Sequence, residues 1–229
     1  LGSNLTVGEV ARYRMLLTLA EGTSPVLQLQ DNIPAGLQYL NDGNTRLAFV
    51  SDNGIPTCVG STASVTSSDL TIGTNPWVCG DETTIAAITA SFVLPNAAIT
   101  GGPFNEGIDP TFNLSDVTNS DADANVEYIV LEFNARVMNV AANQDAPATT
   151  INNNFTVFIN AINKGTSANV PVTVVEPILT LNKQLSSITG TADAGGVANY
   201  SVTFTNIGTA PAYETNFTDT LPAVLDFNL

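Results

Sequence analysis

The sequence carries two copies of one pattern, and no other feature narrows the fold as much. Residues Gly8 to Leu37 read GEVARYRMLLTLAEGTSPVLQLQDNIPAGL, and Gly195 to Leu225 read GGVANYSVTFTNIGTAPAYETNFTDTLPAVL. Tyr13 aligns with Tyr200 at an offset of 187 (200 − 13), and Asp31 with Asp219 at 188 (219 − 31). One residue has therefore slipped between the two strands. A fixed-period repeat implies an array of similar modules rather than one bespoke catalytic domain. The second copy stops after about one third of the first copy's length. The expectation is either a window on a longer array or a subunit that a neighbour completes. The chain starts at Leu1 without methionine or a basic-then-apolar leader, which predicts a leader already removed or a start inside a longer protein.

Within each copy the apolar residues alternate with period two, the mark of a strand with one buried and one wet face. Ala11, Tyr13, Met15, Leu17 and Leu19 share one face, and Arg12, Arg14 and Thr18 the other. Ala198, Tyr200, Val202 and Phe204 repeat this against Asn199, Ser201, Thr203 and Thr205. Ile129 to Val137 and Phe155 to Ala161 alternate in the same way. Val170 to Val175 and Ile178 to Leu185 add two strands, broken at Glu176-Pro177, where a proline marks a strand boundary. Asn41-Asp42-Gly43, Asp52-Asn53-Gly54 and Gly195-Gly196 supply turn chemistry. No window of helical length shows 3.6-residue periodicity. The pattern predicts an all-β protein built from antiparallel β-sandwiches. Its first sandwich spans 1–176 with a long loop-rich insertion at about 42–125, and a partial second repeat spans 177–229. Inside the insertion one strand is expected, from Ile85 to Leu94. The insertion also holds both cysteines and the single tryptophan.

From Pro177 onward the chain resembles the conserved repeat domain of bacterial and archaeal surface proteins known as domain of unknown function 11. That pattern is an apolar strand ending near a lysine, a Gly-x-x-x-x-Tyr element, an alternating strand, Asn-x-Gly, and Asp-x-Leu-Pro. Lys183, Gly195, Gly196, Tyr200, Asn206, Gly208, Asp219, Leu221 and Pro222 match it here. The first copy keeps Gly8, Tyr13, Asp31, Ile33 and Pro34 but has Ala20-Glu21-Gly22 in place of Asn-x-Gly. The resemblance covers roughly Leu5 to Leu40 and Val126 to Leu229. It implies immunoglobulin-like sandwiches in tandem on cell surfaces, with no enzymatic activity.

The composition points the same way. Acids outnumber bases 21 to 6, for a net charge of −15. Such a chain cannot neutralise a phosphate backbone or seek an anionic membrane, so nucleic acid is not an expected partner. No run of about 18 apolar residues exists to span a bilayer. With no histidine the chain lacks the commonest general base and the commonest transition-metal ligand. No enzyme is expected.

Candidate sites remain. Cys58 and Cys79 lie in Gly/Ser/Thr/Pro-rich sequence, and in an exported protein would pair. Closing that loop would contribute on the order of 3 kcal/mol. Asp121, Asp123, Asn125 and Glu127 place oxygens at alternating positions, a spacing able to wrap calcium, although the glycine and distal glutamate of a helix-loop-helix calcium loop are absent. Asn4, Asn113, Asn154, Asn199 and Asn216 begin Asn-x-Ser/Thr triplets open to glycosylation on an exported surface.

Two structural roles follow: a stalk of tandem copies, or a homo-polymer in which a strand from one subunit completes another. In the second, Ile178, Leu179, Leu181, Lys183 and Leu185 form the assembly strand. An adhesin binding its ligand through the insertion, at Trp77, is the alternative. All three readings place the protein outside the cell or on its surface.

Overall fold

The computed structural model describes residues 4–51, 64–70, 77–143, 149–190, 194–212 and 215–227, with Trp77 described by its backbone only. The chain is nearly all β and forms two compact units, Leu1–Val174 and Val175–Leu229.

The first unit carries β1 (Asn4–Thr6), β2 (Val10–Leu19), β3 (Gly22–Asn32), β4 (Leu37–Tyr39), β5 (Arg46–Ser51), β6 (Val65–Ser67), β7 (Trp77–Cys79), β8 (Phe92–Val93), β9 (Ile99–Thr100), β10 (Thr111–Asn119), β11 (Glu127–Val137), β12 (Thr149–Ile159), β13 (Ile162–Thr166) and β14 (Val170–Val175). They form two sheets. One runs β1-β14-β12-β3-β10-β6, with β13 beside β12 and β9 beside β10. The other runs β2-β11-β5-β7, with β4 beside β11 and β8 beside β5. Among the strand pairs with a defined register, all are antiparallel except β5 with β7, which is parallel.

The two sheets face each other across a single core. Met15, Leu47, Phe49, Ile129, Leu131 and Phe133 come from one sheet; Leu27, Leu29, Phe112, Leu114, Ile151 and Val174 come from the other. Phe112 and Phe133 meet across the layers with ring centroids 5.6 Å apart, and Tyr39 sits edge-on to Phe112 at 5.8 Å. The alternation expected for 11–19 holds. Met15 and Leu19 are buried, Tyr13 and Leu17 half-buried, and Arg12, Arg14, Leu16 and Thr18 exposed. This all-β, sandwich-like architecture is the class the sequence predicts.

The segment 42–125 is more than loop. It supplies β5 and β10, which are central to their sheets, together with β6 to β9. It also covers the outer face of the β2-β11-β5-β7 sheet. Ala48, Val50 and Val130 there pack with Ile88 and Ala90 in a second small core. This is why β5 and β11 are buried on both faces. Residues 85–94 do not form the single expected strand. Ile85–Ala87 is a 3-10 turn and only Phe92–Val93 is extended. The cause is local: the Asp81 carboxylate accepts from the backbone N–H of Thr83 and Thr84 and from both hydroxyls, which winds the chain into a turn. Arg14, on the face expected to be wet, donates to the carbonyls of Ile85 and Ile88 at 2.6 and 2.5 Å and so holds this turn down. Arg14 and Arg12 also flank the nearly buried Glu132, at 3.2 and 3.0 Å.

The second unit contains a two-stranded antiparallel ribbon, β15 (Leu179–Thr189) and β16 (Val197–Asn206). Chain after β16 folds back along it.

Candidate functional site

Two surfaces differ from an ordinary finished sandwich. The first is the side of the first unit where β2 ends its sheet. β2 pairs with β11 from Val10 to Leu19, and its opposite edge carries no strand among the described residues. Beside that edge the sheets part into a cleft of about 470 Å³. Its walls are Leu17 and Leu19 of β2, Leu27 of β3, and Phe155, Val157 and Ile159 of β12, with β13 at the lip. These are core residues by pattern, yet Leu17, Phe155, Val157 and Ile159 are only partly buried, because nothing described closes this side.

The second surface is the ribbon. Register places Leu181 opposite Phe204, Lys183 opposite Val202 and Leu185 opposite Tyr200, so these side chains share one face. A bulge between Leu185 and Ser187 keeps Ile188, opposite Ala198, on that face too. The other face carries Thr180, Asn182, Gln184, Asn199, Ser201 and Thr203. The ribbon is amphipathic, but its apolar face is not buried: Leu181 is 61% and Phe204 48% exposed. Two features fasten what there is. Phe217 packs edge-on to Phe204 at 5.1 Å, and Lys183 Nζ lies 2.6 Å from Asp219 and 4.7 Å from the Tyr200 ring centre.

The Asn-x-Gly element closes the ribbon's end. Asn206 Oδ1 accepts from the N–H groups of Ile178 and Gly208 at 3.1 and 3.0 Å, and its Nδ2 donates to the Ala210 carbonyl at 2.7 Å. A Cβ on Gly208 would strike the backbone of Glu176, Pro177 and Ile178. The strand residues Ile178, Leu179, Leu181, Lys183 and Leu185 are thus brought together on one exposed strand and its entry.

Of the acidic loop, the structure unites only part. Asp121 Oδ2 accepts from the hydroxyls of Ser51 and Ser64 at 2.8 and 3.2 Å, and Asn119 Nδ2 donates to Glu127 Oε2 at 2.7 Å. Glu127 Oε1 is buried without a partner among the described residues, and burial, then the charges of Asp121 and Asp123, pushes its carboxyl above the usual range. Asp123 instead caps the N–H of Asn125 at the surface. No group of three or more carboxylate or cysteine side chains converges on a metal position among the described residues.

Cys58 lies outside the described residues, as does the Trp77 side chain; Cys79 ends β7 and is exposed. Among the glycosylation triplets Asn4, Asn199 and Asn216 are exposed, Asn154 is half-buried, and Asn113 spends its Nδ2 on the Ala98 carbonyl and the Thr100 hydroxyl.

One cluster escaped sequence reasoning. Asp31 is 1% exposed and faces the core from β3, where Asn153 Nδ2 donates to its Oδ2 at 3.0 Å. Asp31 Oδ1, Asn153 Oδ1 and the Tyr13 hydroxyl have no hydrogen-bond partner among the described residues. Burial, reinforced by the nearby charge of Asp109, pushes Asp31 up to about 7 against the lowering effect of Asn153. Burial and then Asp31 push Tyr13 up to about 12. The signal was available: Leu27, Leu29, Asp31 and Ile33 alternate in phase, which places Asp31 inward.

Neither a protein-family model nor a curated protein matches the chain.

Proposed function

We propose that this chain is a non-enzymatic structural module of an extracellular or cell-surface fibre that assembles with copies of itself by strand addition. The observation that carries this reading is the ribbon's exposed leucine and aromatic face. Two strands cannot bury such a face alone, and an isolated hairpin is marginal in water. Large exposed apolar faces rimmed by polar residues mark interaction surfaces. The internal repeat, the acidic composition, the lack of histidine and the resemblance of 177–229 to a surface-protein repeat all support it. An oxidised Cys58–Cys79 pair belongs to the same reading, and an intact mass two hydrogens below that of the reduced sequence checks it.

The test is sedimentation velocity with electron microscopy of wild type and Phe204→Asp. Wild type should associate as concentration rises and form extended particles. Phe204→Asp should remain monomeric with the melting of the first unit unchanged. A wild type that stays monomeric up to its solubility limit sinks the proposal.

A further inference from the structure

The ribbon needs a seat, and the first unit offers one. We propose, on the reading that copies assemble by strand addition, that the ribbon of one copy adds through β15 to the open edge of β2 in a second copy, and that its leucine face closes the cleft between the two sheets.

Three observations converge on this pairing. The edges match in length: ten residues of β2, Val10–Leu19, and eleven of β15, Leu179–Thr189, each pair on one side only among the described residues. The cleft also has room for the leucines. Leu179, Leu181 and Leu185 bring roughly 100 Å³ of side chain each at protein packing density, against a cleft of about 470 Å³.

The sequence matches too, because β16 is the repeat copy of β2, with Tyr200 in place of Tyr13 and Phe204 in place of Leu17. β15 already pairs with a strand of that pattern over most of its length.

With the ribbon seated, its apolar face runs on from the inward face of β2, so Tyr200, Val202 and Phe204 continue the row of Met15, Leu17 and Leu19. Backbone groups along the β2 edge gain partners, and no strand of the donor has to unfold. Donor and acceptor are different surfaces of one chain, so the contact is heterologous. Unless its rotation closes a ring, such a contact propagates as a filament.

The test uses two full-length variants. Leu181→Asp spoils the donor and keeps the acceptor. Leu17→Asp spoils the acceptor and keeps the donor. Each alone should sediment as a monomer, and an equimolar mixture should give a species of twice the monomer mass and nothing larger. If Leu17→Asp does not melt cooperatively, Ala20→Arg, at an exposed cleft position, takes its place. A mixture that stays monomeric while wild type assembles overturns this pairing and leaves the proposed function standing. So does either variant assembling like wild type. A wild type that never assembles overturns both.

Discussion

Asp31 is the residue whose chemistry is least like its surroundings. It faces the core, accepts a side-chain hydrogen bond from Asn153, and has Tyr13 on the opposite sheet and Asp109 beside it, with no base in hydrogen-bond contact among the described residues. Its folded pKa of about 7 lies above the ordinary carboxylate value near 3.9. The native state therefore binds the proton more tightly than the unfolded chain. The stability this contributes is complete below about pH 4 and is lost as pH rises through about 7. Asp31→Asn removes the titration while keeping an acceptor for Asn153. Thermal melts at pH 5 and pH 8 should show wild type losing more stability than the variant, by an amount that a shift of this size limits to about 4 kcal/mol. Equal losses in both proteins would show that Asp31 is not protonated in the fold.

Gly208 is special for a simpler reason: the backbone of 176–178 passes where its side chain would be. Gly208→Ala must displace that backbone. The expected cost to the second unit is about 2 kcal/mol or more, read as early loss of amide protection along the ribbon. Unchanged protection would mean the close approach is not kept in solution.

Strands whose apolar residues alternate along the sequence were legible, and β5 and β10, which do not alternate cleanly, were not. β2, β11, β12 and β16 announce themselves by alternation because one side of each reads apolar. β10 does not, and the cause is visible. Its buried residues fall at Phe112, Leu114 and Val117, and a register shift at Ser115, whose φ is 58°, breaks the period. β5 reads as an undifferentiated run because the turn near Ile88 covers its outer side. That covering depends on Arg14 reaching two carbonyls more than seventy residues away, a contact no local pattern encodes. β15 was legible as a strand from its leucines. What no local signal could supply is the cleft beside β2, because it is made by β12 and β13, remote in sequence from β2.

At the scale of the whole molecule the two units differ in how far they bury what their patterns call for. The first encloses a two-layer core and, among the described residues, leaves one lateral side open. The second presents an amphipathic ribbon whose apolar face meets little beyond Phe217 and Asp219. A net charge of −15 makes copies of such a chain repel one another, against any proposed contact between them. Screening by salt should therefore favour assembly. If the ribbon of one copy adds to β2 of another, these two surfaces are covered together. Hydrogen exchange followed over a range of protein concentrations tests it most directly. The prediction is that amides in 10–19 and 179–189 gain protection in step as concentration rises, while 127–137, already paired on both sides over much of its length, does not change. Exchange in both segments that ignores concentration would contradict the claim.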